Sequence, residues 1–260
     1  MLKGHKVKRI VVKVGTSTLT HGTGMLNLRR IETLAKILSD IKNSGVDVVL
    51  VTSGAIGVGM SKLGMTVRPK DVRYKQAAAA VGQCELMHIY DKFFLDYGKT
   101  IAQMLITRDD VDQPTRRQKV IDTLETLLET GAIPIINEND TTGIDEILFG
   151  DNDSLSAEVA VLCNADLLVL FSDIDGLYDA DPHKNQNARI IPIVHEITPE
   201  LRACAGGAGT NLGTGGMSTK LMAAERALSH KIPMVIANGE HVEELYNMIC
   251  GHINGTLFIE

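Results

Sequence analysis

Short runs of β-branched and aliphatic residues alternate along the whole chain with longer stretches of helical spacing, and this alternation restricts the fold more than any other feature. "RIVVKV" reads as the first strand and is followed by a polar Gly/Thr turn. Asn27 to Asn43 places Leu28, Ile31, Leu34, Ala35 and Leu38 at helical spacing, and Gly45 stops it. "VDVVLVTS" is the next strand, and "SGAIGVGMSKLG" breaks from it into a Gly-rich helical start. A long Ala-rich helix spans Tyr74 to Tyr97. "IAQMLIT", "AIPIIN", "DLLVLF" and "PMVIAN" read as further strands. The helical patterns Thr115 to Glu129, Ser154 to Cys163, Met217 to His230 and Val242 to Cys250 stand between or after them. "TLFIE" closes the chain as an edge strand. The pattern predicts an α/β fold: a three-layer α/β/α sandwich with a mostly parallel central sheet, as one domain over residues 1–260.

Composition narrows the class. Hydrophobic residues make up 44% and aromatics only 4%, so the interior is aliphatic, as suits a parallel sheet covered by helices. The net charge of −6 comes without a strongly basic block, so nucleic acid is not expected as a partner. Cys84, Cys163, Cys204 and Cys250 lie far apart and form no CxxC; they read as reduced, mostly packed thiols of a cytoplasmic protein. No apolar run reaches membrane-spanning length, and Lys13 cuts the N-terminal one, so neither a membrane span nor a signal peptide is expected.

In parallel α/β sheets ligands sit at the carboxyl ends of strands, which selects the polar loops to read. After the first strand comes "KVGTST". Lys13 lies inside an apolar strand, so either it faces an anion or the strand is an exposed edge. After the second, Ser53 and Gly54 offer a hydroxyl and free amides at a helix start, suited to an anion or to plain N-capping. After "AIPIIN" comes "NENDTTGIDEILFGDNDSLSA", with more amides and carboxylates than capping needs, among them Asp140, Asn152 and Asp153. Asp153 also suits an N-cap. The stretch is not a calcium loop, because Leu155 and Ser156 stand where a ligand and a glycine are required. Ser172 and Asp173 end the next strand. Finally, "NLGTGGMSTKLMAAERAL" crowds Gly213, Gly215 and Gly216 before a helix that opens with Ser218, Thr219 and Lys220. Glycine amides, a helix N-terminus and a lysine together suit a polyphosphate, although the spacing is not that of a P-loop.

Taken in order, "IVVKVGTSTL", "VTSGAIGVG", "PIINENDT", "FGDNDSLSA", "SDIDGLYDADP" and "GTGGMSTK" resemble the motif set of the amino acid kinase family, and within it the glutamate 5-kinases. The resemblance spans almost the whole chain. It implies transfer of the γ-phosphoryl of ATP, with Mg²⁺, to the side-chain carboxylate of L-glutamate, the first step of proline biosynthesis. It further implies that Lys13, Asp153 and Lys220 carry the chemistry. Ser53, Asp140 and Asn152 would bind glutamate. Lys13, Ser172, Asp173, Thr214, Gly215, Gly216, Met217, Ser218, Thr219 and Lys220 would bind ATP. The N-terminal portion would then hold the amino acid and the C-terminal portion the nucleotide. L-proline is expected to inhibit, with the polar segment Thr107 to Arg117, as a loop, tuning the response, and copies of the chain to associate. Ala205 to Gly216 is a candidate lid. Many glutamate 5-kinases add a C-terminal RNA-binding-like domain; a chain ending at Glu260 resembles the form without it.

Overall fold

Strand β1 (Arg9–Val14) has a parallel partner on each side, β2 (Asp47–Val51) and β5 (Leu167–Ser172), so Lys13 sits in the middle of a sheet. The structure is a computed structural model that describes residues 6–143, 151–180, 182, 185, 187–204 and 216–260, excluding the side chains of Ala203 and Cys204. The remaining strands are β3 (Ile101–Ile106), β4 (Ile133–Glu138), β6 (Ile193–Val194), β7 (Met234–Asn238) and β8 (Thr256–Phe258). Their order across the sheet is β3-β4-β2-β1-β5-β7-β8-β6, and every pairing is parallel except β7 with β8.

The helices are α1 (Thr16–Leu19), α2 (Leu28–Asn43), α3 (Ala55–Lys62), α4 (Val72–Asp96) and α5 (Arg108–Asp112), then α6 (Pro114–Glu129), α7 (Asn152–Leu162), α8 (Pro199–Cys204), α9 (Met217–Leu228) and α10 (Leu245–Ile249). The pleat divides the core in two. Ile10, Val12 and Val14 of β1 join Val48, Leu50, Val169 and Phe171 on one face, under α2, α4 and α10. Val11, Val49, Val51, Leu168 and Leu170 face the other way, under α6, α7 and α9. This is the expected three-layer sandwich. Helix α2 shows why it docks: Asn27 accepts from the Arg30 amide to cap it, and Ile31, Leu34, Leu38 and Ile41 are buried along one stripe. Burying each such side chain contributes about 1.5–3 kcal/mol.

Two glycines bring α3 and α4 into backbone contact. A Cβ on Gly59 would stand 1.7 Å from the Ala78 carbonyl oxygen, and one on Gly82 would stand 1.8 Å from that of Ala55. The start of α3, and with it Ser53 and Gly54, is thereby held against the long helix.

Several expectations need correction. β8 is not an edge strand; it lies between β7 and β6, and the Thr256 hydroxyl there meets the Leu177 amide at 2.8 Å and the Ile191 carbonyl at 2.7 Å. A two-residue strand such as β6 carries too little periodicity to be legible in sequence, which leaves β8 as the apparent rim. The turn after β1 is a single helical turn, α1. Thr107 to Arg117 is not a loop: the Thr107–Asp110 capping box starts α5, and Pro114 opens α6. Of the described cysteine side chains only Cys163 is buried, while Cys84 and Cys250 are exposed. Among the described residues no helix is long and apolar enough to cross a membrane.

Candidate active site

The carboxyl ends of β1, β2, β4 and β5 open into one cleft of about 860 Å³, lined by Lys13, Ser53, Asn137, Glu138, Ser172 and Asp173 from those ends and by Lys220 from α9. It lies where the order of strands turns from β2–β1 to β1–β5, the position at which open α/β sheets bind ligands.

Its floor is a buried charge triad. Asp153, only 1% exposed, meets Lys13 Nζ with Oδ1 at 2.5 Å and Lys220 Nζ with Oδ2 at 3.1 Å. The first contact is an ion pair without hydrogen-bond alignment; the second is aligned. The Thr219 hydroxyl, 2.9 Å from Asp153 Oδ2 and 2.8 Å from the Gly216 carbonyl, donates to one of them. Burial alone would raise the Asp153 pKa, but the two ammonium groups outweigh it and hold the carboxyl well below the ordinary carboxylate range. Two lysines and one carboxylate leave the floor with a net positive charge.

This resolves the alternatives for Lys13 and Asp153. Lys13 is on no edge and does face an anion. Asp153 does not cap α7: that task falls to Asp151, whose carboxylate accepts from the Ser154 amide at 2.8 Å. Asp153 is the second residue of α7, in its first turn, and its carboxylate meets Lys13 of β1.

The rim is an amide and hydroxyl network. Asn152 Nδ2 lies 2.7 Å from the Thr52 carbonyl, 2.8 Å from Ser53 Oγ and 3.0 Å from Asn137 Oδ1. Gly54 adopts φ 94°, which only glycine takes up without strain, and turns the chain from β2 into α3. Asp140 lines the cleft; burial raises its pKa, and the Arg68 charge opposes the rise. On the other side Ser172 Oγ donates to Asp173 Oδ1 at 3.0 Å.

Of the residues expected to bind the nucleotide, Ser172, Asp173 and Lys220 line the cleft and the Thr219 hydroxyl meets Asp153. Met217 packs against the core instead, and Ser218 is exposed away from the cleft lining. Thr214 and Gly215, and all of the candidate lid except Gly216, lie outside the described residues; Gly216 precedes α9 and its carbonyl faces Thr219. Arg68, Lys75 and Gln76 line the cleft and were missed, because none stands at a strand end.

Residues 8–238 match the amino acid kinase family. The chain belongs to this family. Members named glutamate 5-kinase are similar over nearly their whole length. That of Clostridium perfringens (strain 13 / Type A) is 56% identical, covering 97% of this chain and 95% of that one. That of Clostridium acetobutylicum is 54% identical with the same coverage. That of Listeria monocytogenes serovar 1/2a is 51% identical, over 96% of this chain and 92% of the relative. Solved structures share the fold at lower identity. Isopentenyl phosphate kinase of T. acidophilum, in a product complex, superposes with TM-score 0.68 at 18% identity, covering 96% of this chain and 99% of that one. The UMP kinase of Bacillus anthracis gives 0.66 at 17%, covering 98% and 97%. In this family's fold the cleft just described is the candidate site of phosphoryl transfer.

Proposed function

We propose that this chain moves the γ-phosphoryl group of ATP onto the side-chain carboxylate of L-glutamate, giving L-glutamyl 5-phosphate for proline synthesis. The observation that carries the reading is the Lys13–Asp153–Lys220 triad on the cleft floor, beneath a rim of Ser53, Asn152 and Asp140. The glutamate 5-kinases more than 50% identical over nearly the whole chain support the choice of acceptor.

The chemistry follows from charge. A glutamate side chain has a pKa of about 4.3, so the nucleophile is already an anion at neutral pH and needs no general base. The obstacle is repulsion between a carboxylate and a triphosphate. Lys13 and Lys220 offset it from two sides and stabilise the charge that spreads over the equatorial oxygens in the transition state. Asp153, held ionised far below neutrality, is a poor base; its role is to set the two ammonium groups at a fixed separation. Asp140 suits the substrate's α-ammonium, and Asn152 with Ser53 its polar head. Ser172, Asp173 and Thr219, with the start of α9, belong to the nucleotide side.

Asp151 and Asp173 line the cleft and would be the carboxylates to hold a Mg²⁺ ion, which typically takes only one or two from the protein beside substrate phosphates. It would neutralise phosphate charge. L-proline, which shares the α-carboxylate and α-ammonium but lacks an acceptor, competes for the Asp140 and Asn152 contacts.

The test is ATP consumption with L-glutamate, trapping the acyl phosphate with hydroxylamine as the hydroxamate. Glutamate-dependent hydroxamate is expected. Its absence, or stronger turnover with L-aspartate or carbamate, would overturn the assignment.

A further inference from the structure

Gln83 stands on α4, only 8% exposed, and its orientation is peculiar. Its Oε1 accepts from Asn137 Nδ2 at 2.9 Å, while its own Nε2 is buried with no partner. Two backbone groups explain why. The Glu138 amide can only donate, and it meets Asn137 Oδ1 at 2.9 Å; this turns Asn137 Nδ2 toward Gln83. The Thr52 carbonyl can only accept, and it meets Asn152 Nδ2 at 2.7 Å. Flipping Gln83 would set two amide donors against each other. Gln83 therefore keeps its acceptor on Asn137 and leaves its donor orphaned.

The consequence runs along three amides. Asn137 Oδ1 accepts from Asn152 Nδ2 at 3.0 Å, so Asn152 has its nitrogen engaged by three acceptors. Among the described residues no hydrogen bond uses Asn152 Oδ1, which is left to the cleft that Asn152 lines. We infer that Gln83 is a positioning residue for amino-acid binding: through Asn137 it holds Asn152 with its amide oxygen presented as an acceptor to the substrate's ammonium group. The inference rests on the proposed placing of glutamate at Asn152.

Gln83→Met keeps length and burial but removes the strong acceptor; Gln83→Glu keeps the acceptor and removes the orphaned donor. The full-length enzyme is assayed for KM of glutamate, KM of ATP, kcat and Tm. Loss of one buried hydrogen bond predicts a rise of about five- to tenfold in the glutamate KM of Gln83→Met, with kcat and the ATP KM within about twofold. Gln83→Glu is expected to restore the glutamate KM. In Gln83→Met/Asn152→Ala the glutamate KM is expected to match that of Asn152→Ala alone, because both changes act through one contact. If Gln83→Met fails to fold, Gln83→Asn, one methylene short of Asn137, takes its place. An unchanged glutamate KM in Gln83→Met, even with a lowered Tm, overturns the inference, as do equal effects of Met and Glu or additivity in the double variant. An unchanged glutamate KM in Asn152→Ala overturns the placing of the substrate itself; a raised one there beside a normal Gln83→Met removes only the role of Gln83.

Discussion

At the scale of single residues, the floor triad makes distinct demands on each member. In the proposed function Lys220→Ala removes a charge that acts on the transferring phosphoryl, and losing one such donor typically costs about 10²–10³ in kcat. Steady-state kinetics should show that loss with little change in the glutamate KM; a near-normal kcat would remove Lys220 from the chemistry. Asp153→Asn is predicted to lower both stability and turnover. It strands two buried lysines, and breaking a buried pair costs up to about 3–5 kcal/mol. Because Asp151 supplies the cap, no capping loss contributes. A polyphosphate can replace the missing anion, so ATP should raise the Tm of Asp153→Asn more than that of the wild type. Equal shifts in thermal melts would contradict this. The pH dependence has a definite sign. The folded Asp153 pKa is depressed from 3.8, so its stabilisation is complete above that pH and is lost as pH falls below it. Acid unfolding of Asp153→Asn should therefore lack part of the wild-type loss below about pH 4.

At the scale of elements, the contact of α3 with α4 decides where Ser53 and Gly54 stand. Gly82→Ala would drive a methyl group into the Ala55 carbonyl, and the helices must separate. Overpacking costs about 1–3 kcal/mol or more, and at about 2–4 °C per kcal/mol this means a Tm lowered by several degrees. Since Gln83 is the next residue and α3 follows Ser53, the glutamate KM should rise as well while the ATP KM holds. Calorimetry together with kinetics checks both, and an unaltered Tm would show that the helices have room to part.

At the scale of the whole molecule, the sheet order brings two substrate regions to one cleft. The ends of β2 and β4 and the start of α7 line one part of it, β5 and α9 the other; in the proposed function the first holds the amino acid and the second the nucleotide. Asp140→Ala is predicted to raise the glutamate KM and weaken L-proline inhibition together, leaving ATP affinity intact. Rates across a glutamate titration at several proline concentrations test it. Inhibition that excess glutamate cannot overcome would put proline at a separate place, and a weakened ATP site would reverse the two regions.

The sequence by itself determined the layers and most of the cleft. Strand runs such as "RIVVKV" and "AIPIIN" and the helical spacing of Asn27 to Asn43 are local signals, and local periodicity is what decides which face of an element is buried. The motif resemblance marked Lys13, Ser53, Asn152, Asp153 and Lys220 for the same reason: each lies in a compact, distinctive segment. Tertiary structure alone decided the rest. That Asp151 and not Asp153 caps α7 depends on which carboxylate faces the lysines from β1 and α9. That β8 is interior depends on the two-residue β6, too short to carry a period. Arg68 and Gln83 reach the cleft and its supporting network from segments with no strand-end signal. Hydrogen-bond polarity and charge pairing act between atoms far apart in sequence, so only the folded chain reveals them.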